Sequence, residues 1–198
     1  MKLDLPERML KSAQAAYEVP PRAYHTWAHV EEVVRWNGEV ARGPGWKQPR
    51  EILLATVYHD AIYVPGAKDN EARSAELALA QIREHLPHEA LDIARVAQLI
   101  NLTARHGSLT PDEVDAEAAL FLDCDMAILG AEPDAFDRYD RAIRTEYASV
   151  PRPLYELGRK RFLRKVLESP RIFLSPYFHD RLDAAARANL RRALSLDG

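Results

Sequence analysis

Reactive sulfur is nearly missing from this sequence. One cysteine, Cys124, stands alone in 198 residues. That excludes an internal disulfide framework and a cysteine-rich zinc site. A single thiol suits a reducing compartment, so the expected location is cytoplasmic. Long apolar runs are absent as well, and none approaches the roughly 18 residues of a membrane span. The opening stretch MKLDLPERML breaks its apolar residues with charge too often for a secretory signal. Nor does charge of one sign dominate: Lys and Arg number 27, Asp and Glu 30, for a net charge of -3. Such a balance gives no general attraction to long nucleic acid or to an anionic membrane. Local basic clusters, RKRFLRK and RANLRR, carry apolar residues at helical spacing and read as solvated helix faces.

Strand signals are the last thing lacking. No segment alternates apolar and polar residues convincingly, whereas helical periodicity recurs throughout. Proline marks the helix starts, where its missing N–H costs nothing. Pro6 precedes ERMLKSAQAAYEV, and Pro20-Pro21 break the chain. A helix is expected from Thr26 to about Ala41. Pro49 opens REILLATVYHDAIYV, which ends in a turn at Pro65-Gly66. Asp69 or Asn70 is placed to cap EARSAELALAQIREHL. Pro87 precedes HEALDIARVAQLINLTARH. Pro111 precedes DEVDAEAALFLDCDMAIL, and Gly130 stands where a glycine C-cap belongs. Pro133, Pro153 and Pro176 punctuate the rest. The expectation is an all-α bundle of eight or nine helices forming a single domain over residues 1–198.

Histidine is scarce, seven in the chain, yet three gather at the edges of two apolar helical patterns, His25 and His59 directly after tyrosines and His29 four residues beyond His25. In AYHTWAHVEEVVRW, His25 and His29 are four residues apart and fall on one helix face. His25 is close enough to Pro21 to lie at the helix start. In ATVYHDAIY, His59 and Asp60 are adjacent near the end of a strongly apolar helix. Burying Asp60 there is costly without a metal or other partners. The dipeptide recurs as His179-Asp180 in YFHDRLD, where Asp180 reads as a helix cap and the pair as structural. In FLDCDMAILG, Asp123 and Asp125 point to different helix sides, so one of them is expected to face the groove of the histidines. Two imidazoles and two carboxylates from three helices suit one Mn²⁺, Fe²⁺, Co²⁺, Ni²⁺ or Zn²⁺ ion per chain, with positions left for water. Arg22 is a candidate phosphate ligand because guanidinium binds phosphate bidentately. Tyr24 and Tyr58 are candidates for hydrogen bonds to a substrate.

The order His, His-Asp, Asp on helices resembles the HD-domain superfamily of metal-dependent phosphohydrolases. More narrowly, it looks like the group described as predicted metal-dependent HD phosphohydrolases. The segments that carry the resemblance are PPRAYHTWAHVEEVV, YHDAIYVPGAKDNEARSA, FLDCDMAILG, IRTEYASV and GRKRFLRKVL, spread from about residue 17 to 192. YHTWAH is also similar to an element of the cyclic-nucleotide phosphodiesterases in which the first histidine donates a proton and the second binds metal. The resemblance implies His29, His59, Asp60 and Asp125 as ligands and His25 as general acid. Asp125 is favoured over Asp123 because Cys-Asp-Met-Ala is similar to the Ala-Asp-Leu-Ser of those relatives. It further implies that KDNEARSAE lies over the metal, with Glu71 orienting a water and Lys68 or Arg73 meeting a phosphate oxygen. His106 is the remaining histidine placed to contact substrate or a second ion.

The implied activity is hydrolysis of a small phosphate ester or anhydride, nucleotides being the leading class, with no long nucleic acid or membrane as partner. A homodimer is left open. The rivals are a di-iron oxygenase of the same fold, in which His106 binds metal, and a non-catalytic nucleotide sensor.

Overall fold

The computed structural model describes residues 3–19 and 22–196. The expected break at Pro20-Pro21 lies outside the described residues. Nine α-helices and no strand occur among the described residues, so the chain is all-α as anticipated. They are α1 (Glu7–Ala16), α2 (Trp27–Arg42), α3 (Pro49–Tyr58), α4 (Asn70–His85), α5 (Ile93–Thr103), α6 (Ala116–Met126), α7 (Pro133–Glu146), α8 (Arg152–Glu168) and α9 (Pro176–Leu196). Proline is the first residue of α3, α7 and α9 and immediately precedes α1. Each is a site where the ring's fixed φ matches the helix and no hydrogen bond is lost. No helix among the described residues is long and apolar enough to cross a membrane.

Some boundaries differ from the sequence reading. The α5 helix starts at Ile93, well after Pro87, because Asp92 is its cap. The Asp92 carboxylate accepts the Arg95 N–H at 3.0 Å, and the Asp92 N–H donates to buried Glu51 at 3.0 Å. Pro111 opens only a short 3₁₀ turn, Pro111–Glu113. A reciprocal Thr110–Glu113 capping box closes that turn, and Asp115 then caps α6. Neither Asp69 nor Asn70 caps α4 through its side chain. Asp69 makes no such bond, and Asn70 turns to the main chain of Val64 instead.

The chain divides into two compact units, Met1–Ala104 and Arg105–Gly198. In the first, α3 is the central helix. Every residue from Glu51 to Tyr58 is buried, as a helix apolar on all sides must be. Packed against α3 are α2, α4 and α5, whose buried residues include Val30 and Val33, Ala75 and Ala78, and Leu99 and Ile100. Each fully buried valine, leucine or isoleucine of this set contributes roughly 1.5–3 kcal/mol, and the alanines less. In the second unit α6 is buried from Glu117 to Cys124. There α9 packs on α6, α8 and the 3₁₀ turn Ala127–Gly130. Gly130 does not have a positive φ, so it is not a left-handed cap. It is required for a different reason: a Cβ there would lie 2.7 Å from Leu182 Cβ.

Candidate metal centre

The first unit gathers three of the expected ligands. His29 sits in the first turn of α2, where its N–H donates to the Thr26 carbonyl at 3.0 Å. His59 is the C-cap of α3, and Asp60 follows in the turn. Both imidazoles are buried: His29 is 5% exposed and His59 1%. His59 Nδ1 lies 2.8 Å from the Thr56 carbonyl. A carbonyl only accepts, so Nδ1 carries the proton and the Nε2 of neutral His59 presents a lone pair. That Nε2 is 3.1 Å from His29 Nε2. Asp60 Oδ2 is 3.1 Å from His59 Nε2 and 3.7 Å from His29 Nε2.

Two nitrogen lone pairs cannot face each other at this distance with nothing between them. Either a proton on His29 bridges them or a cation does. The three separations leave room for the cation. A circle through these atoms has a radius of about 1.9 Å, inside the ~2.0–2.2 Å by which nitrogen and carboxylate ligands stand off a divalent ion. A point at bonding distance from all three therefore exists, and His29, His59 and Asp60 fit a divalent metal. The support behind them is built from side chains too. Thr56, whose carbonyl orients His59, accepts at its hydroxyl from Asn37 Nδ2 at 2.7 Å in the core.

Around this cluster the other candidates divide. His25 precedes α2 and lies face to face with Tyr63, ring centroids 4.0 Å apart and planes 26° apart. Tyr24 stands edge-on to His25 at 5.0 Å and tilted over His29 at 4.8 Å. The sequence reading passed over Tyr63, although it stands four residues after His59 in the same quoted segment. Tyr58 is fully buried, its hydroxyl has no hydrogen-bond partner among the described residues, and burial pushes its phenol well above the usual range. It is a core residue rather than a substrate contact. Trp27 packs edge-on against Tyr17 at 5.7 Å.

Arg22 is not presented as a phosphate ligand. Its terminal nitrogens donate to main-chain carbonyls, among them Asp60 at 2.6 Å and Ala61 at 2.9 Å. Lys68 and Arg73 are exposed and Glu71 is half-buried. The segment leading to them is anchored by α4. Asn70 exchanges two hydrogen bonds of 3.0 Å with the main chain of Val64, and Ser74 Oγ accepts from the Ile62 N–H at 3.0 Å.

The second unit separates the two aspartates of FLDCDMAILG. Asp123 is buried and both its oxygens are engaged. Oδ1 accepts the Leu174 N–H at 2.8 Å; Oδ2 accepts the Ser175 N–H at 2.7 Å and the Ser175 hydroxyl at 2.6 Å. Burial pushes its carboxyl up to about 6, and these donors offset that only in part. Asp123 is thus a structural acceptor for the turn before α9. Asp125 is half-buried, with Oδ2 3.4 Å from His106 Nε2. Of the second His-Asp pair, Asp180 is exposed and lies inside α9, so it caps nothing. The cap is Ser175, whose Oγ accepts the Phe178 N–H at 3.3 Å. His179 faces Asp183 on its own helix, Nδ1 to Oδ1 3.3 Å.

Fold and site together define an all-helical protein with a candidate divalent-metal centre. No family model, curated protein or solved structure matches the chain.

Proposed function

We propose that this protein is a metal-dependent phosphohydrolase acting on a small phosphate ester or anhydride, with nucleotides the leading substrate class. The observation that carries the reading is the convergence of His29 Nε2, His59 Nε2 and Asp60 Oδ2 to mutual distances of 3.1–3.7 Å. Asp125 is the fourth ligand implied by the order of the motifs. A divalent metal held there would acidify a coordinated water and polarise a phosphoryl oxygen.

The chain's own residues supply the rest. His25, held between Tyr24 and Tyr63, donates a proton to the leaving oxygen, the general-acid role that imidazole most often fills. Glu71 orients the attacking water. Lys68, exposed on the segment before α4, meets a phosphate oxygen. Tyr24 contacts the substrate. A cytoplasmic location goes with this reading, since a lone buried thiol suits a reducing compartment.

One observation favours a second reading. The His106–Asp125 pair of the second unit offers a nitrogen and an oxygen 3.4 Å apart, a start toward a second ion and hence toward the di-iron oxygenase. Elemental analysis of wild type beside His59→Ala separates the two. About one equivalent of a divalent transition metal, lost in the variant, is expected. About two equivalents of iron would favour the oxygenase, and metal unchanged in the variant would overturn both. Asp60→Ala is expected to abolish turnover in a phosphate-ester screen. A sensor would instead keep nucleotide binding and show no turnover even as wild type.

A further inference from the structure

We infer that Arg22 is a positioning residue that fixes the His25 segment against the His59-Asp60 turn. The sequence makes Arg22 look like a phosphate ligand; the geometry assigns it different work. Nη1 donates to the carbonyl of His25 at 3.1 Å and to that of Asp60 at 2.6 Å. Nη2 donates to the carbonyls of Ala16 at 2.9 Å, Ala61 at 2.9 Å and Val19 at 3.4 Å. The guanidinium also lies over the Tyr17 ring at 5.0 Å and the Tyr63 ring at 5.9 Å.

Three of these acceptors lie at or beyond a helix end. Ala16 is the last residue of α1, and Asp60 and Ala61 lie in the turn after His59, the C-cap of α3. The last carbonyls of a helix have no partner within it and carry the negative end of its dipole. The Arg22 cation meets one such carbonyl, that of Ala16, together with the two turn carbonyls beyond α3. Only a planar fork of five N–H donors reaches so many carbonyls at once; an ammonium has three donors on one point. The consequence falls on the candidate centre. His25 and Asp60 are 35 residues apart in sequence, and one rigid guanidinium holds the carbonyls of both. Tyr63, which stacks on His25, belongs to the same assembly. Arg22 therefore acts through His25 and Asp60.

This inference rests on the metal-centre reading only for its effect on metal, and the experiment keeps the two apart. Arg22→Lys and Arg22→Gln are compared with wild type by two measurements on the full chain. The first is amide hydrogen exchange without metal. Faster exchange is expected in residues 23–26 and 60–63, with α5 unchanged. The second is titration with cobalt(II), read by its visible absorption. Affinity is expected to fall 10–100-fold in both variants, as when a group that orients a ligand is removed, with an altered spectrum. Unchanged exchange in both segments would overturn the inference. So would a uniform rise that includes α5, which would make Arg22 a general stabiliser. Wild type that binds no cobalt, with the two segments still loosened in the variants, would leave the clamp standing and overturn the metal reading.

Discussion

Asp123 and Asp183, both buried in the second unit, carry opposite pKa shifts for reasons visible residue by residue. Asp123 accepts only from neutral donors at Leu174 and Ser175, so burial prevails and its carboxyl rises to about 6. Burial acts on Asp183 as well, but there the Ile172 N–H at 3.0 Å and the Arg187 guanidinium at 2.6 Å outweigh it and hold its carboxyl below the usual range. A depressed carboxyl in the fold means that unfolding takes up protons, so stability falls with acid. The contribution of Asp183 is complete above the ordinary aspartate value of ~3.9 and is lost as pH falls through the lower folded value. Asp183→Asn is expected to lower stability at neutral pH by about 1–3 kcal/mol. The difference from wild type should shrink below about pH 4. Urea unfolding of both proteins across that range measures it. A difference independent of pH would mean that lost packing, not lost charge, is responsible.

At the level of elements, the prolines made the helix starts readable. Where a proline meets a helix, its missing N–H confines it to the first turn. Ends and caps were less legible because they depend on partners distant in sequence. The start of α5 is fixed by Asp92, whose N–H meets Glu51 of α3. The start of α9 is fixed by Ser175, itself held by Asp123 of α6. Gly130 shows the same limit: its position at a helix end was read correctly, but the reason for glycine is the approach of α9. Gly130→Ala is expected to destabilise the protein by about 1–3 kcal/mol, because the new methyl overlaps Leu182 Cβ and its carbonyl oxygen at 2.7 and 2.9 Å. Gly158→Ala is the control. A Cβ there meets nothing within 4 Å, and in mid-helix alanine should be neutral or stabilising by up to about 1 kcal/mol. Thermal unfolding of the two variants checks both signs, and equal effects would contradict the steric account.

For the molecule as a whole, metal binding and folding stability are linked. A ligand that binds only the folded chain stabilises it by RT ln(1 + [L]/Kd), about 2.7 kcal/mol at a hundredfold excess over Kd. Chelation followed by dialysis is therefore expected to lower the Tm of wild type, and added divalent metal to restore it. His59→Ala should respond to neither treatment. An identical metal response in the variant would place the bound ion elsewhere.

The sequence alone determined the helical class, most helix starts and the chemical identity of the candidate ligands. These follow from properties local to a few residues: 3.6-residue periodicity, proline's missing donor, and the donor atoms of histidine and aspartate. Tertiary structure decided how the site residues are used. Arg22 was legible as a cation but not as a clamp, because the carbonyls it holds come from α1 and the turn after α3. Asp123 and Asp125 were indistinguishable by spacing until the turn at Leu174 and Ser175 claimed both oxygens of Asp123. Tyr63 became part of the site only when its ring met His25. A side chain's donors and acceptors are written in its formula; which of them remain available depends on what the fold brings within hydrogen-bonding distance.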